Sequence, residues 1–128
     1  MNQIAISCTA LLGLLLFGLG FAVSMCRAKT SILCGFPDDP ASRLTKMVRA
    51  HGNTAEFVPY FSLLFLYLGA HNPAGAVVWL IVAATVCRFL IVFGILSCAT
   101  LAKPNPFRFV GALGTYVCGV ALTLCLFI

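Results

Sequence analysis

Hydrophobic residues occupy four long runs along the chain, and short polar segments separate each run from the next. We place these runs at Ile4–Met25, Met47–Ala70, Ala74–Leu101 and Phe107–Ile128. A helix needs about 20 mostly apolar residues to cross the hydrocarbon of a bilayer, and each run is long enough. The pattern predicts an all-α integral membrane protein, a four-helix bundle in which residues 1–128 form a single domain.

Composition supports the same class of protein. Hydrophobic residues make up 62% of the 128 residues, charged residues make up only 9%, and the mean hydropathy is +1.08. A water-soluble domain of this size needs far more polar surface. The composition therefore excludes a soluble globular protein, and lipid is the expected solvent and partner.

The basic residues lie beside the ends of the predicted spans, with one exception inside the third run. They are Arg27, Lys29, Arg43, Lys46 and Arg49 around the first loop, Lys103 and Arg108 around the third loop, and Arg88 within the third run. The positive-inside rule predicts that the first and third loops face the cytoplasm and that both termini lie on the other side. The net charge of +5 fits anionic lipid headgroups, and nothing in the pattern predicts binding to nucleic acid.

Seven cysteines are scattered along the chain without a CxxC pair. Most of them fall inside the apolar runs, where a free cysteine behaves as a small packing residue. Zinc or iron–sulfur sites need clustered thiolates and histidines, which the sequence lacks. No metal site is predicted.

Polar residues on the second predicted helix share one face. Arg49, Asn53 and Glu56 are spaced by four and then three residues, which stacks their side chains on an α-helix. A charge at the centre of a span costs about 2.5–3.5 kcal/mol, so Glu56 and Arg88 must find partners inside the bundle. One interpretation is an ion pair, Glu56 with Arg88 or with Arg49, that fixes the helix register. The excess of donors favours the other interpretation, an anionic ligand.

Small residues recur on the fourth predicted helix. Gly111, Thr115, Gly119 and Thr123 are spaced by four residues and form a strip along one face. Such strips let helices approach closely in membranes. The strip predicts tight packing of the fourth helix against a neighbour.

The segment Arg49–Glu56, which reads RAHGNTAE, and the Pro59 that follows it resemble the signature of one membrane protein family. This is the MAPEG superfamily, the membrane-associated proteins in eicosanoid and glutathione metabolism, and the chain is similar to a microbial-type member. The resemblance extends to the chain length, the four spans, the basic first loop and Arg88 in the third span. It implies a homotrimer that binds glutathione between subunits near the cytoplasmic side.

The resemblance also implies roles for individual residues. Members that use glutathione hold it with an arginine at the end of the first helix and with the Arg, Asn and Glu of the second. The glutathione-binding residues expected here are Arg27, Arg49, His51, Asn53, Glu56 and Arg88. Their chemistry suits the ligand, because guanidinium groups match carboxylates and a carboxylate matches the glutamyl amine.

The family activates the glutathione thiol with an arginine at the start of the fourth helix, and Arg108 matches that position. Lys103 is a second candidate, although a lysine acts as a point charge without the guanidinium fork. One and two turns after Arg88, where better-known members carry a tyrosine and sometimes a histidine, this chain has Ile91 and Ile95.

Three functions follow as hypotheses. The first is a glutathione transferase or peroxidase that acts on lipophilic electrophiles or lipid hydroperoxides from the bilayer. The second is a non-catalytic lipid- or glutathione-binding membrane protein of the same fold. The third is a structural or transport protein, although the chain lacks the inverted repeat typical of transporters.

Overall fold

The computed structural model describes residues 1–127, and these residues form four helices and no strand. The helices are α1 (Gln3–Thr30), α2 (Arg43–Ala70), α3 (Gly75–Ser97) and α4 (Pro106–Leu124), and a 3₁₀ turn at Cys125–Phe127 follows α4. The predicted all-α class is confirmed. The end of the fourth predicted run, at residue 128, lies outside the described residues.

Three of the helices in this described part are long and apolar enough to cross a membrane. They are α1, α3 and the segment Pro106–Phe127. The second helix is as long as α1, at 28 residues, but Arg43, Lys46, Arg49 and Glu56 make its first four turns polar. Composition alone therefore supports three of the four predicted spans.

The helix ends differ from the predicted ends by up to five residues. The first helix continues past Met25 to Thr30, where basic residues in its last turn complement the helix dipole. It stops at Ser31, which takes the left-handed conformation with φ 57°. The third helix ends early, at Ser97, and the Lys46 Nζ donates to the Cys98 carbonyl at that end, at 3.2 Å.

The first two helices pack antiparallel along their length. At one end the Asn2 backbone N–H donates to the Gly69 carbonyl at 2.7 Å, and the Asn2 side chain caps α1. A Cβ on Gly69 would lie 2.6 Å from the Cβ of Ala5, so only glycine permits this approach. Because α2 runs beside α1 in this way, it extends through the same thickness as the strongly apolar α1.

Glycines bring α3 and α4 into close contact. A Cβ on Gly111 would lie 2.7 Å from the Ile91 nitrogen, and one on Gly94 would lie 2.7 Å from the Arg108 nitrogen. Gly114 packs against the Cys87 sulfur in the same interface. The predicted close approach of α4 is confirmed at Gly111, and its neighbour there is α3.

The first and third loops meet at one end of the bundle. The Leu101 N–H donates to the Pro40 carbonyl at 2.9 Å, which joins the α3–α4 loop to the α1–α2 loop. Within the α1–α2 loop, the Arg27 guanidinium donates to the carbonyls of Ile32 and Gly35 at 3.2 and 2.8 Å. The two basic loops therefore share one end of the molecule, and the side of the membrane that this end faces stays a prediction.

The close contact at Gly111 should be essential to stability. Replacing Gly111 with Ala places a methyl group against the α3 backbone, and we expect it to lower the free energy of unfolding by about 1–3 kcal/mol. Gly13→Ala is the matched control, because a Cβ there meets no atom within 4 Å. Unfolding by a denaturing detergent in mixed micelles measures both. Equal stability of the two variants would contradict the packing described for α3 and α4.

Candidate ligand-binding site

A cavity of about 530 Å³ lies at the basic end of the bundle, between α2, α3, α4 and the α3–α4 loop. This volume is in the range of pockets that hold small organic ligands. Its walls combine two arginines and two asparagines with six apolar or proline residues. The lining residues are Arg49, Asn53, Ile91, Ile95, Leu101, Pro104, Asn105, Arg108, Phe109 and Ala112.

Arg108 lies in the first turn of α4 and lines the cavity. Its Nη1 donates to the carbonyls of Leu101 and Lys103 at 3.1 and 3.4 Å, so the side chain is fixed against the α3–α4 loop. Gly94 lets the Arg108 backbone lie directly against α3. The helix packing and the loop together hold this guanidinium beside the cavity.

Asn53 lines the cavity from α2, and Arg88 holds it from behind. The Arg88 side chain is fully buried, with 0% of its surface exposed. Its Nη2 donates to the Asn53 side-chain oxygen at 2.8 Å and to the Asn53 backbone oxygen at 2.9 Å. Its guanidinium carbon lies 4.9 Å from the centre of the Phe57 ring, a cation–π contact. These contacts fix α3 against α2 at the depth of the cavity.

Asn105 begins α4 and also lines the cavity. Its Oδ1 accepts hydrogen bonds from the backbone N–H groups of Phe107 and Arg108, at 2.9 and 3.2 Å. Pro106 follows at the first helical position, where its missing N–H costs nothing. The start of α4, with its positive dipole end, therefore lies at the cavity wall.

The structure brings Arg49, Asn53 and Arg108 together around this cavity, with Ile91 and Ile95 on the α3 wall. These three polar residues are among the predicted site residues. Lys103 is exposed and does not line the cavity, although its carbonyl contacts Arg108.

Four predicted site residues do not line the cavity of the single chain: Arg27, His51, Glu56 and Arg88. Arg27 donates to carbonyls of the α1–α2 loop. The His51 ring packs towards α1, where a Cβ on Gly20 would lie 3.2 Å from the His51 Nε2. Glu56 is exposed on α2, and Arg88 lies behind Asn53. Their contact with a ligand stays a prediction.

The hydrogen-bond acceptors of Arg88 come from Asn53, whereas one interpretation of the sequence was an ion pair of Glu56 with Arg88 or with Arg49. A neutral amide thus takes the place of a carboxylate at the buried end of the guanidinium.

Sequence reasoning missed Asn105. The signal was present, because an asparagine directly before a proline at the start of an apolar run is typical of a helix N-cap. Because this N-cap lies three residues before Arg108, recognising it would have placed Asn105 beside the predicted thiol-activating residue.

Within residues 1–127, three helices are apolar enough to cross a membrane, and the cavity at one end of the bundle presents two arginines and two asparagines; together they define a helical membrane protein with a cation-rich site. The family model described as MAPEG family matches residues 5–128, so the chain belongs to the MAPEG family. Membership places it, at family level, among membrane proteins of glutathione or eicosanoid metabolism. No curated protein and no solved structure matches the chain.

The Asn105 cap gives a prediction about stability. Asn105→Ala removes the acceptor for two backbone N–H groups, and we expect a loss of about 1 kcal/mol in the free energy of unfolding. Asn105→Asp keeps an accepting oxygen and adds a negative charge at the helix start, so it should unfold like the wild type. Thermal unfolding in detergent compares the two. Wild-type stability of the alanine variant would show that the cap is not needed.

Proposed function

We propose that this protein is a glutathione-dependent membrane enzyme of the transferase or peroxidase type, which binds glutathione in the cavity at the basic end. The observation that carries the proposal is the convergence of Arg49, Asn53 and Arg108 on one cavity. Glutathione has two carboxylates, two peptide groups, an amine and a thiol. Two guanidinium groups and an amide supply donors for the carboxylates and peptide oxygens.

Arg108 is the proposed thiol-activating residue. Both of its loop contacts in the described part of the chain use Nη1, which leaves Nη2 and Nε for a ligand. A thiol with a pKa near 8.5 is only slightly ionised at neutral pH. A fixed cation that lowers this pKa by ~1–2 units stabilises the thiolate by about 1.4–2.7 kcal/mol.

The bound thiolate supports two reactions. In transfer, its sulfur forms a bond to an electrophilic carbon, and the leaving group departs with the bonding electron pair. In peroxide reduction, the sulfur bonds to the terminal hydroperoxide oxygen as the O–O bond breaks, which gives glutathione sulfenic acid and a lipid alkoxide that takes up a proton and leaves as the alcohol. A second glutathione then converts the sulfenic acid to glutathione disulfide and water. The apolar side of the cavity, with Ile91, Ile95 and Phe109, suits a lipophilic second substrate.

We further propose that the chain forms a homotrimer. Glu56 is the only acidic residue in the four helices, and it is exposed on the surface of the single chain. In contact with lipid, this carboxylate would cost about 2.5–3.5 kcal/mol. A neighbouring copy that covers this face of α2 removes that cost, and it places Glu56 where it can accept from the glutamyl amine.

The second candidate function is binding without catalysis. Ile91 and Ile95 line the α3 wall and offer no polar group to a ligand. The members that the sequence resembles carry polar side chains at these positions. A binding protein would retain glutathione affinity without ionising the thiol, and this difference can be measured.

Glutathione titration of the detergent-solubilised protein separates these functions. Binding should raise the melting temperature, with a stabilisation of about 2.7 kcal/mol at a hundredfold excess over Kd. Ionisation of the thiol should produce the ultraviolet absorbance of a thiolate. We expect Arg108→Ala to abolish that absorbance and to retain much of the affinity, whereas Glu56→Ala should weaken binding itself.

Lys103→Ala is the matched control, since it removes a cation from the same loop. It should leave the thiolate absorbance unchanged. If it alone abolishes the signal, the activating residue is Lys103. If the wild type shows neither stabilisation nor thiolate absorbance, the glutathione proposal is wrong, and binding without thiolate absorbance supports the second candidate.

The trimer is tested by the mass of the protein in detergent. Native mass spectrometry should give three chains per particle in mild detergent. A particle of one chain would contradict the trimer and would leave Glu56 without the proposed neighbour.

A further inference from the structure

We infer that Arg88 is a positioning residue: it orients the Asn53 carboxamide so that the NH₂ group, and not the oxygen, faces the cavity. The inference rests on the proposed function for its ligand. Arg88 itself cannot reach the cavity as a lining residue, because its side chain is fully buried and stands behind Asn53. Any effect it has on binding must therefore pass through a neighbour.

The direction of the amide follows from the chemistry of its partner. A guanidinium only donates hydrogen bonds, so the Asn53 atom that lies 2.8 Å from Arg88 Nη2 must be the oxygen. The reversed amide would set N–H donors against a buried cation. The same Nη2 also donates to the Asn53 backbone oxygen, and the Phe57 ring stacks on the guanidinium. These two contacts fix the guanidinium, and the guanidinium in turn fixes the Asn53 side-chain oxygen.

The Asn105 amide also has its oxygen engaged within the protein, although by a different partner. Its side-chain oxygen is used by the first N–H groups of α4, so its NH₂ is what remains for a ligand. The polar side chains that line the cavity are those of Arg49, Asn53, Asn105 and Arg108. Because the Asn53 oxygen is held on Arg88 and the Asn105 oxygen accepts two helix N–H groups, the four side chains present mainly donors to the cavity.

This arrangement determines which ligand groups the cavity accepts. Carboxylates and peptide carbonyls satisfy the donors, whereas an amine or an amide N–H would face other donors. The glutamyl amine of glutathione must therefore lie outside these four side chains, and Glu56 is the one helical carboxylate available to it. Arg88 contributes to this selection without touching the ligand.

A double-mutant cycle on glutathione affinity tests the inference. Arg88→Met replaces the buried cation with an apolar side chain and releases the Asn53 amide. We expect it to raise Kd about tenfold, the value of one lost oriented hydrogen bond. Asn53→Ala should have a similar effect. In the Asn53→Ala background, Arg88→Met should cause no further loss.

Two variants separate positioning from a structural role. Arg88→Lys also only donates, so it should keep the amide orientation and recover most of the affinity. Thr85→Val is the matched control, because Thr85 is a buried polar residue one turn earlier on α3 that donates to its own helix at 2.9 Å. It should leave Kd unchanged. Melting temperatures of the ligand-free variants show whether each one folds.

The outcomes are distinct. An unchanged Kd in a folded Arg88→Met variant would overturn the inference. The inference would also fail if Arg88→Met raised Kd by the same factor in the Asn53→Ala background as in the wild type. If wild-type protein does not bind glutathione, the proposed function fails, and formate serves as a bare carboxylate probe. The Asn53 side-chain amide resonance, in ¹⁵N-asparagine-labelled protein, should then shift with formate in the wild type and not in Arg88→Met. No shift in the wild type would refute the inference that the Asn53 NH₂ group faces the cavity as a donor.

Discussion

The architecture depends on a guanidinium that is completely enclosed within the bundle. A buried cation in a membrane helix requires acceptors, and removing them would leave an uncompensated charge. The Arg88 side chain finds both of its hydrogen-bond acceptors on one residue of α2, Asn53. This requirement sets the depth at which α3 meets α2. It also sets the position of the cavity wall, because the residue that satisfies the cation is the one that faces the ligand space.

Fold stability and ligand selection use the same atoms. The Asn53 oxygen compensates a buried charge, and the Asn105 oxygen starts a helix. Each amide then has its NH₂ free for other partners, so two structural tasks favour hydrogen-bond donors at the polar part of the cavity wall. The positive end of α4 adds to this effect, and Arg108 at that end is fixed by the loop carbonyls. The affinity for carboxylates that we propose for this site therefore depends on the same hydrogen bonds that stabilise the helix packing and the start of α4.

Much of this could be predicted from the sequence. Hydropathy located the helices. The spacing of Arg49, Asn53 and Glu56 predicted one shared face, of which Arg49 and Asn53 line the cavity and Glu56 does not. Periodicity shows which residues share a face, but it does not show which neighbouring helix meets that face. For this reason an ion pair of Arg88 with Glu56 was one interpretation of the sequence, whereas the acceptor in the structure is Asn53. Hydropathy also placed the start of the second helix at Met47, whereas α2 begins at Arg43. A polar first turn cannot be distinguished from a loop when only apolar residues are counted.

The hydrogen bond between Leu101 and Pro40 connects two segments that are distant in sequence. The Leu101 carbonyl also accepts from Arg108, so the first loop indirectly supports the guanidinium at the cavity. An insertion between residues 31 and 42 would shift Pro40 and disturb that support. Over evolutionary time, the lengths of these two loops should consequently change together. Grafting either loop from a relative into this chain would then require grafting the other one as well.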